Sequence, residues 1–216
     1  MLVHLWSMEQ EDHQGVLMRG VGRWLVYSRL RAWLGATLEM PSLLGGVRLP
    51  PGAKCLDIAT GLGWATVGLL GSEPTARVVA LEYDGTILSR TRKYLRSHGA
   101  ASAALCRADA KHLPFSDESF DLVLCLYGLH HFRGYLEALR EIARVLRSTG
   151  TFVLIDPVRN PNKPPGGHHG TDVPTREELD RMLGEAGFEI VLSRVSLGRM
   201  KAVVQRPVRQ VAPDAA

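Results

Sequence analysis

The feature that most constrains this chain is a single decapeptide, Cys55-Leu-Asp-Ile-Ala-Thr-Gly-Leu-Gly-Trp64. Its first half reads as a short buried strand ending near Asp57. Its second half turns on Gly61 and Gly63 and opens a helix. Glycines at such a turn let backbone N–H groups approach a ligand closely, and the helix N-terminus favours negative charge. The break at Leu49-Pro50-Pro51-Gly52 comes just before it, and after it short apolar strands alternate with helical patterns. That rhythm is the signature of βαβ units around a parallel sheet.

Strands are expected over 54–58, 77–81, 103–107, 120–126 and 151–155. Between them, a helix over 86–98 buries Ile87, Thr91 and Leu95. A second over 134–147 buries Leu136, Leu139, Ala143 and Leu146, and Ser148-Thr149-Gly150 ends it with a glycine cap. Thr175 with Glu178 forms a capping box opening a helix to Ala186, which Gly187 closes. Two last strands, 188–195 and 201–205, are joined by too few residues for a crossover helix and must pair antiparallel. The expected fold is α/β: a Rossmann-like, doubly wound, mostly parallel seven-stranded sheet with a C-terminal antiparallel hairpin.

Length allows one domain with a proper core and is short for two, at 216 residues. The sequence divides into an N-terminal helical lid segment (1–48), the sheet domain (49–206) with a breaker-rich lid loop (157–173), and a tail (207–216). The segment 16–34 is dense in apolar and aromatic residues, Trp24, Tyr27 and Trp33 among them, and reads as amphipathic helices packed on something else. No apolar run approaches the ~20 residues a spanning helix needs, and no secretory leader is visible at the start. Cys55, Cys106 and Cys125 each fall in an expected strand, as small buried hydrophobes rather than disulfide partners or metal ligands. A cytoplasmic chain is expected.

The net charge of +4 and pI of about 9.1 raise nucleic acid as a partner. The distribution argues otherwise: residues 1–46 balance, and most of the excess sits in the tail from 196 onward. The cluster Arg19, Arg23, Arg29 and Arg31 has no acid among it and keeps that possibility open.

Three carboxylates carry the chemistry. Glu82 ends the second strand about 20 residues after the glycines, where an acid accepts from both ribose hydroxyls of a nucleotide. That much suits a nicotinamide-binding domain too. Asp57, just before the glycine turn, is an odd neighbour for a pyrophosphate and suits a ligand with an ammonium group. Asp109, just past the third strand in Arg107-Ala-Asp109-Ala-Lys-His-Leu-Pro-Phe115, is placed to accept from an adenine amino group. Together with the terminal hairpin, these disfavour a nicotinamide dehydrogenase.

These stretches make the chain resemble the class I S-adenosylmethionine-dependent methyltransferases, in the group of the ubiquinone and menaquinone biosynthesis C-methyltransferases. The matching segments are Leu56–Gly63, Ala80-Leu-Glu-Tyr-Asp84, Ala108-Asp-Ala110 with Leu113-Pro-Phe115, Phe120-Asp-Leu-Val123, Leu129-His-His-Phe132, Glu141–Leu146 with Gly150, and Gly187-Phe188. They cover roughly residues 50–205. Ala59 stands where many members have glycine, as is typical of the quinone-pathway group, and Arg-Ser-Thr-Gly replaces the usual Lys-Pro-Gly-Gly turn.

The resemblance implies S-adenosylmethionine as cofactor, with Asp57, Ala59, Gly61 and Gly63 at its methionine part and Glu82 at its ribose. Tyr83 flanks the adenine, Asp109 and Ala110 sit at its edge, and Leu126 and Tyr127 line the sulfonium end. Methyl transfer is an in-line displacement at an activated carbon, so much of the rate comes from positioning, while an acidic acceptor gains from a base. His130 and His131 are the candidates; a lining role is the alternative. Asp156, Tyr27, His168 and His169 are expected on the acceptor or lid side, and no metal site is expected. The acceptor is expected to be a small molecule, with nucleic acid an unlikely partner. Its rivals are an RNA or protein methyltransferase, and a non-catalytic domain that binds the cofactor and works through partners.

Overall fold

The computed structural model describes residues 40–162, 173–196 and 198–207, together with Ala36. Helix α1 (Met40–Leu44) leads to β1 (Lys54–Ile58), α2 (Trp64–Ser72), β2 (Arg77–Glu82), α3 (Gly85–Ser97) and β3 (Ala104–Arg107). There follow β4 (Phe120–Leu126), a 3-10 turn (Leu129–His131), α4 (Tyr135–Val145), β5 (Leu146–Pro157), α5 (Arg176–Glu185), β6 (Glu189–Ser196) and β7 (Arg199–Gln205). The strands form one seven-stranded sheet in the order β3-β2-β1-β4-β5-β7-β6. The first five are parallel, and β7 enters antiparallel between β5 and β6. Chain order reverses between β1 and β4, which opens a crevice beyond their C-terminal ends, the usual binding place of doubly wound sheets.

Both faces of the sheet are covered, which is why its central strands read as near-continuous apolar runs. In β1, Leu56 and Ile58 enter one core with Val123, Leu154 and α4, while Cys55 enters the other with Met40, Leu69 and Leu124. Cys125 lies in the first of these cores, so two of the three thiols fill apolar space as the sequence suggests. Burial pushes the Cys55 thiol up to about 12 and Cys125 well above its ordinary value. Helix α1 closes on α2 at Gly68, where a methyl group would stand 2.5 Å from Met40 Cγ.

Local signals place the helices. Asp84 caps α3, its Oδ1 accepting from the N–H groups of Thr86 and Ile87. The Thr175–Glu178 capping box opens α5 as expected. One expectation fails: α4 stops at Val145, and Gly150 does not cap it. Leu146 is extended and pairs with Phe120, and Arg147 meets the Asp121 carboxylate, so the sequence 146–150 joins β5. Sheet pairing outweighs one more helical turn there. Gly150 is needed because a methyl group would stand 2.7 Å from Leu146 Cδ1. Among the described residues, no helix is long and apolar enough to cross a membrane.

Candidate active site

The turn after β1 is wound by alternating left-handed residues: Ala59 (φ 54°), Gly61 (φ 57°) and Gly63 (φ 89°). Thr60 N–H donates to Leu81 O and Gly63 N–H to Thr60 O, which ties the loop to β2 and to itself. Gly63 serves packing: a methyl group there would stand 2.8 Å from Leu95 and 3.1 Å from Thr91. Thr91 in turn donates its hydroxyl to Gly61 O at 2.5 Å. Ala59 holds a backbone conformation that costs a non-glycine residue about 1–2 kcal/mol. Its methyl group lies against Gly128, where a methyl would stand 2.5 Å from it.

Asp57 and Glu82 stand near the C-terminal ends of neighbouring strands, and Asp109 follows the end of β3. Asp57 is 1% exposed, and its Oδ2 accepts from the hydroxyls of Thr60 and Thr66, both at 2.7 Å. Burial pushes its carboxyl up to about 6, against the pull of those two hydroxyls. Glu82 accepts from Gly61 N–H through Oε2 and from Tyr83 and Asp84 N–H through Oε1. Burial raises this carboxyl too, and the three N–H donors oppose it. Asp109 accepts from Lys111 N–H and pairs with the Lys111 ammonium at 3.7 Å. Ala110 beside it is buried, and Tyr83 is 49% exposed, an unusual position for a ring with no need to be on the surface.

Across the crevice, β4 ends in buried Leu126 and then Tyr127, which is left-handed (φ 62°) with its N–H bonded to Ile155 O. The 3-10 turn carries the histidines. His130 is 5% exposed, and its Nδ1 lies 3.0 Å from Oδ1 of Asp156, which is 1% exposed at the end of β5. Burial raises the Asp156 carboxyl, with the hydrogen bond from His130 opposing. The His131 ring packs tilted against His130, with centroids 3.9 Å apart and 44° between the planes, and is only half-buried. A buried carboxylate–imidazole pair therefore supports a second, more accessible imidazole. Among the expected site residues, Tyr27, His168 and His169 lie outside the described residues.

Several residues that organise the site escaped the reading of the sequence. Thr66 anchors Asp57, and its signal is a hydroxyl in the first turn of the helix after the glycines. Arg144 donates to Leu113 O and Phe115 O while pairing with Glu141 and Asp117, and Glu141 accepts from Leu113 N–H. The i,i+3 spacing of Glu141 and Arg144 on one helix face was that signal. This clamp fixes the loop that follows Asp109. No group of three or more potential metal ligands occurs among the described residues.

Residues 56–154 match the family model described as a methyltransferase domain, a span that holds Asp57, Glu82, Asp109, His130 and His131 but not Asp156. Over that span the chain is similar to methyltransferase domains. Its relatives include the ubiquinone/menaquinone biosynthesis C-methyltransferase of Ectopseudomonas mendocina, 35% identical over 130 residues, or 58% of this chain and 48% of that one. The chain spans about half the length of the curated relatives it matches. In fold, the domain is similar to an S-adenosylmethionine-dependent methyltransferase from Aquifex aeolicus, with a TM-score of 0.65 and 18% identity, over 79% of this chain and 91% of that one. It is similar also to the [4+2]-cyclase SpnF, with a TM-score of 0.73 and 18% identity, over 91% and 87% of the two chains. The domain thus shares a scaffold with proteins of different chemistry, and its own is read from its site.

Proposed function

We propose that this protein transfers the methyl group of S-adenosylmethionine to a small-molecule acceptor. The observation that supports the reading is that Asp57, Glu82 and Asp109 stand at or just past the C-terminal ends of three adjacent parallel strands, the first two bonded to the glycine turn through Thr60 and Gly61. That donor set fits an adenosine bearing an amino-acid tail. Glu82 would take the ribose hydroxyls and Asp109 the adenine amino group, with the exposed Tyr83 ring beside the base. Asp57 would face the ammonium through the turn it braces, and Leu126 and Tyr127 would line the opposite wall. When bound, the cofactor supplies a methyl group already activated on a sulfonium.

The chain's own residues would then position the acceptor and manage its proton. His131, the accessible ring, would receive a proton from an acidic acceptor atom. Asp156 would hold the His130 ring in one orientation, because a buried carboxylate fixes the imidazole it bonds, and His131 would pack against that fixed ring. The expected lid segments 1–48 and 157–173 lie largely outside the described residues. The relatives named for quinone biosynthesis support a small organic acceptor, and the free thiols suit a cytoplasmic, reducing setting.

The test uses S-adenosylmethionine labelled in its methyl group, incubated with the protein and a fractionated cell extract. Label should appear in the low-molecular-weight fraction and be lost with His131→Ala. Label in RNA or protein, or in no fraction, would contradict the proposal.

A further inference from the structure

Among the described residues, no carboxylate lies within ion-pair distance of Arg199, at the start of β7. Arg199 stands opposite Pro157, the last residue of β5. Its face of the sheet is set by the alternation of β7: Met200, Ala202 and Val204 enter the core with α4, and Val203 packs on the opposite side with Ile155, Tyr127 and Met40. Arg199 and Lys201 share the side of Val203. The guanidinium reaches back over the end of β5 to Tyr127, its Nη1 donating to the phenol oxygen at 3.2 Å and its Cζ 5.9 Å from the ring centroid. Tyr127 is the residue between β4 and the turn that bears His130 and His131. One side chain therefore separates Arg199 from the edge of the reaction crevice.

The charge around Arg199 is unbalanced. Lys201, which donates to Ser42 O at 3.1 Å, faces Arg194 across the hairpin, and burial together with that neighbour lowers its pKa. Among the described residues, no carboxylate lies within ion-pair distance of Arg194, Arg199 or Lys201, whereas Arg144, Arg147, Arg159 and Arg206 each hold one. Among the described residues these three cations share one face without a carboxylate partner, which gives that face a positive potential suited to an anion. A guanidinium steadied by a phenol offers a planar fork that matches a carboxylate.

We infer that the acceptor bears a carboxylate, and that Arg199 binds it beside Tyr127. This rests on the methyltransferase reading, and makes Arg199 a specificity-determining residue for that reaction. The flanking Lys201 and Arg194 raise the local positive potential, while the atom to be methylated lies on the histidine side of Tyr127.

The test is a ligand-detected NMR screen of matched planar probes, hydroxybenzoic acids against their methyl esters, on the protein saturated with S-adenosylhomocysteine. The acids should bind at least about tenfold more tightly than the esters. Arg199→Met should abolish that preference and Arg199→Lys should restore part of it, and circular dichroism should show both variants folded. Equal binding of acid and ester, no binding of any acid, or an acid preference that survives Arg199→Met would overturn the inference. So would a single-stranded oligonucleotide that binds the same protein and loses its affinity with Arg199→Met. If S-adenosylhomocysteine itself fails to bind, the methyltransferase reading fails, and the acid–ester comparison on the free protein still judges Arg199 separately.

Discussion

Gly128 and Ala59 should behave as one unit. Gly128 has φ −120° and ψ −31°, which any residue adopts, so its smallness answers to space alone. A methyl group there would stand 2.5 Å from Ala59 Cβ and 3.3 Å from Cys125 Sγ. The first distance is far inside van der Waals contact, and the backbones of β1 and β4 on either side are pinned by sheet pairing. Gly128→Ala should therefore cost about 1–3 kcal/mol, the range for overpacking a well-filled site. Ala59→Gly removes the opposing methyl and relieves about 1–2 kcal/mol of left-handed strain, offset by about 0.4–1 kcal/mol of added freedom in the unfolded chain. Alone it should be nearly neutral. The double variant should recover most of the loss, with a favourable coupling of about 1–2 kcal/mol in a double-mutant cycle from urea denaturation. Strict additivity, or a Gly128→Ala protein as stable as the parent, would refute the packing argument.

Other consequences follow from the buried charges. The Asp57 carboxyl is raised from 3.8 to about 6 in the folded chain, so folding takes up a proton in that window. Stability from this group is fullest below the lower value and falls as pH rises to about 6, by on the order of 3 kcal/mol. Asp57→Asn should flatten that decline in denaturation midpoints measured from pH 4 to 7, and parallel curves would rule it out. Asp156→Asn should slow methyl transfer about 10- to 100-fold while leaving S-adenosylhomocysteine affinity within about twofold; an equal loss of both would mean that the pair only maintains the fold. Arg144→Met should lower stability by about 2–3 kcal/mol, chiefly through Glu141 and the carbonyls of Leu113 and Phe115, since Asp117 is largely exposed. A loss below about 0.5 kcal/mol would show that the clamp is dispensable.

The order of elements was legible because each carried a local cause. Apolar runs of strand length, the glycine turn and the capping box at Thr175 all named their structures directly. The end of α4 was not legible, because Leu146–Gly150 has helical spacing behind it and only the pairing of Leu146 with Phe120 in the folded sheet decides its state. The same limit applies to the site. Asp57, Glu82 and Asp109 announce themselves by their distance from strand ends. The His130–Asp156 contact joins residues 26 apart and the Arg199–Tyr127 contact residues 72 apart, and no periodicity encodes either. Arg199 in particular looks like an ordinary surface charge until the hairpin folds back beside β5.

The most direct measurement is calorimetric titration of the protein with S-adenosylhomocysteine, S-adenosylmethionine and NAD, repeated on Asp109→Ala. The account predicts micromolar binding of the first two, no response to NAD, and about tenfold weaker binding in the variant. Binding of NAD alone, or affinity for S-adenosylhomocysteine that Asp109→Ala leaves untouched, would contradict it.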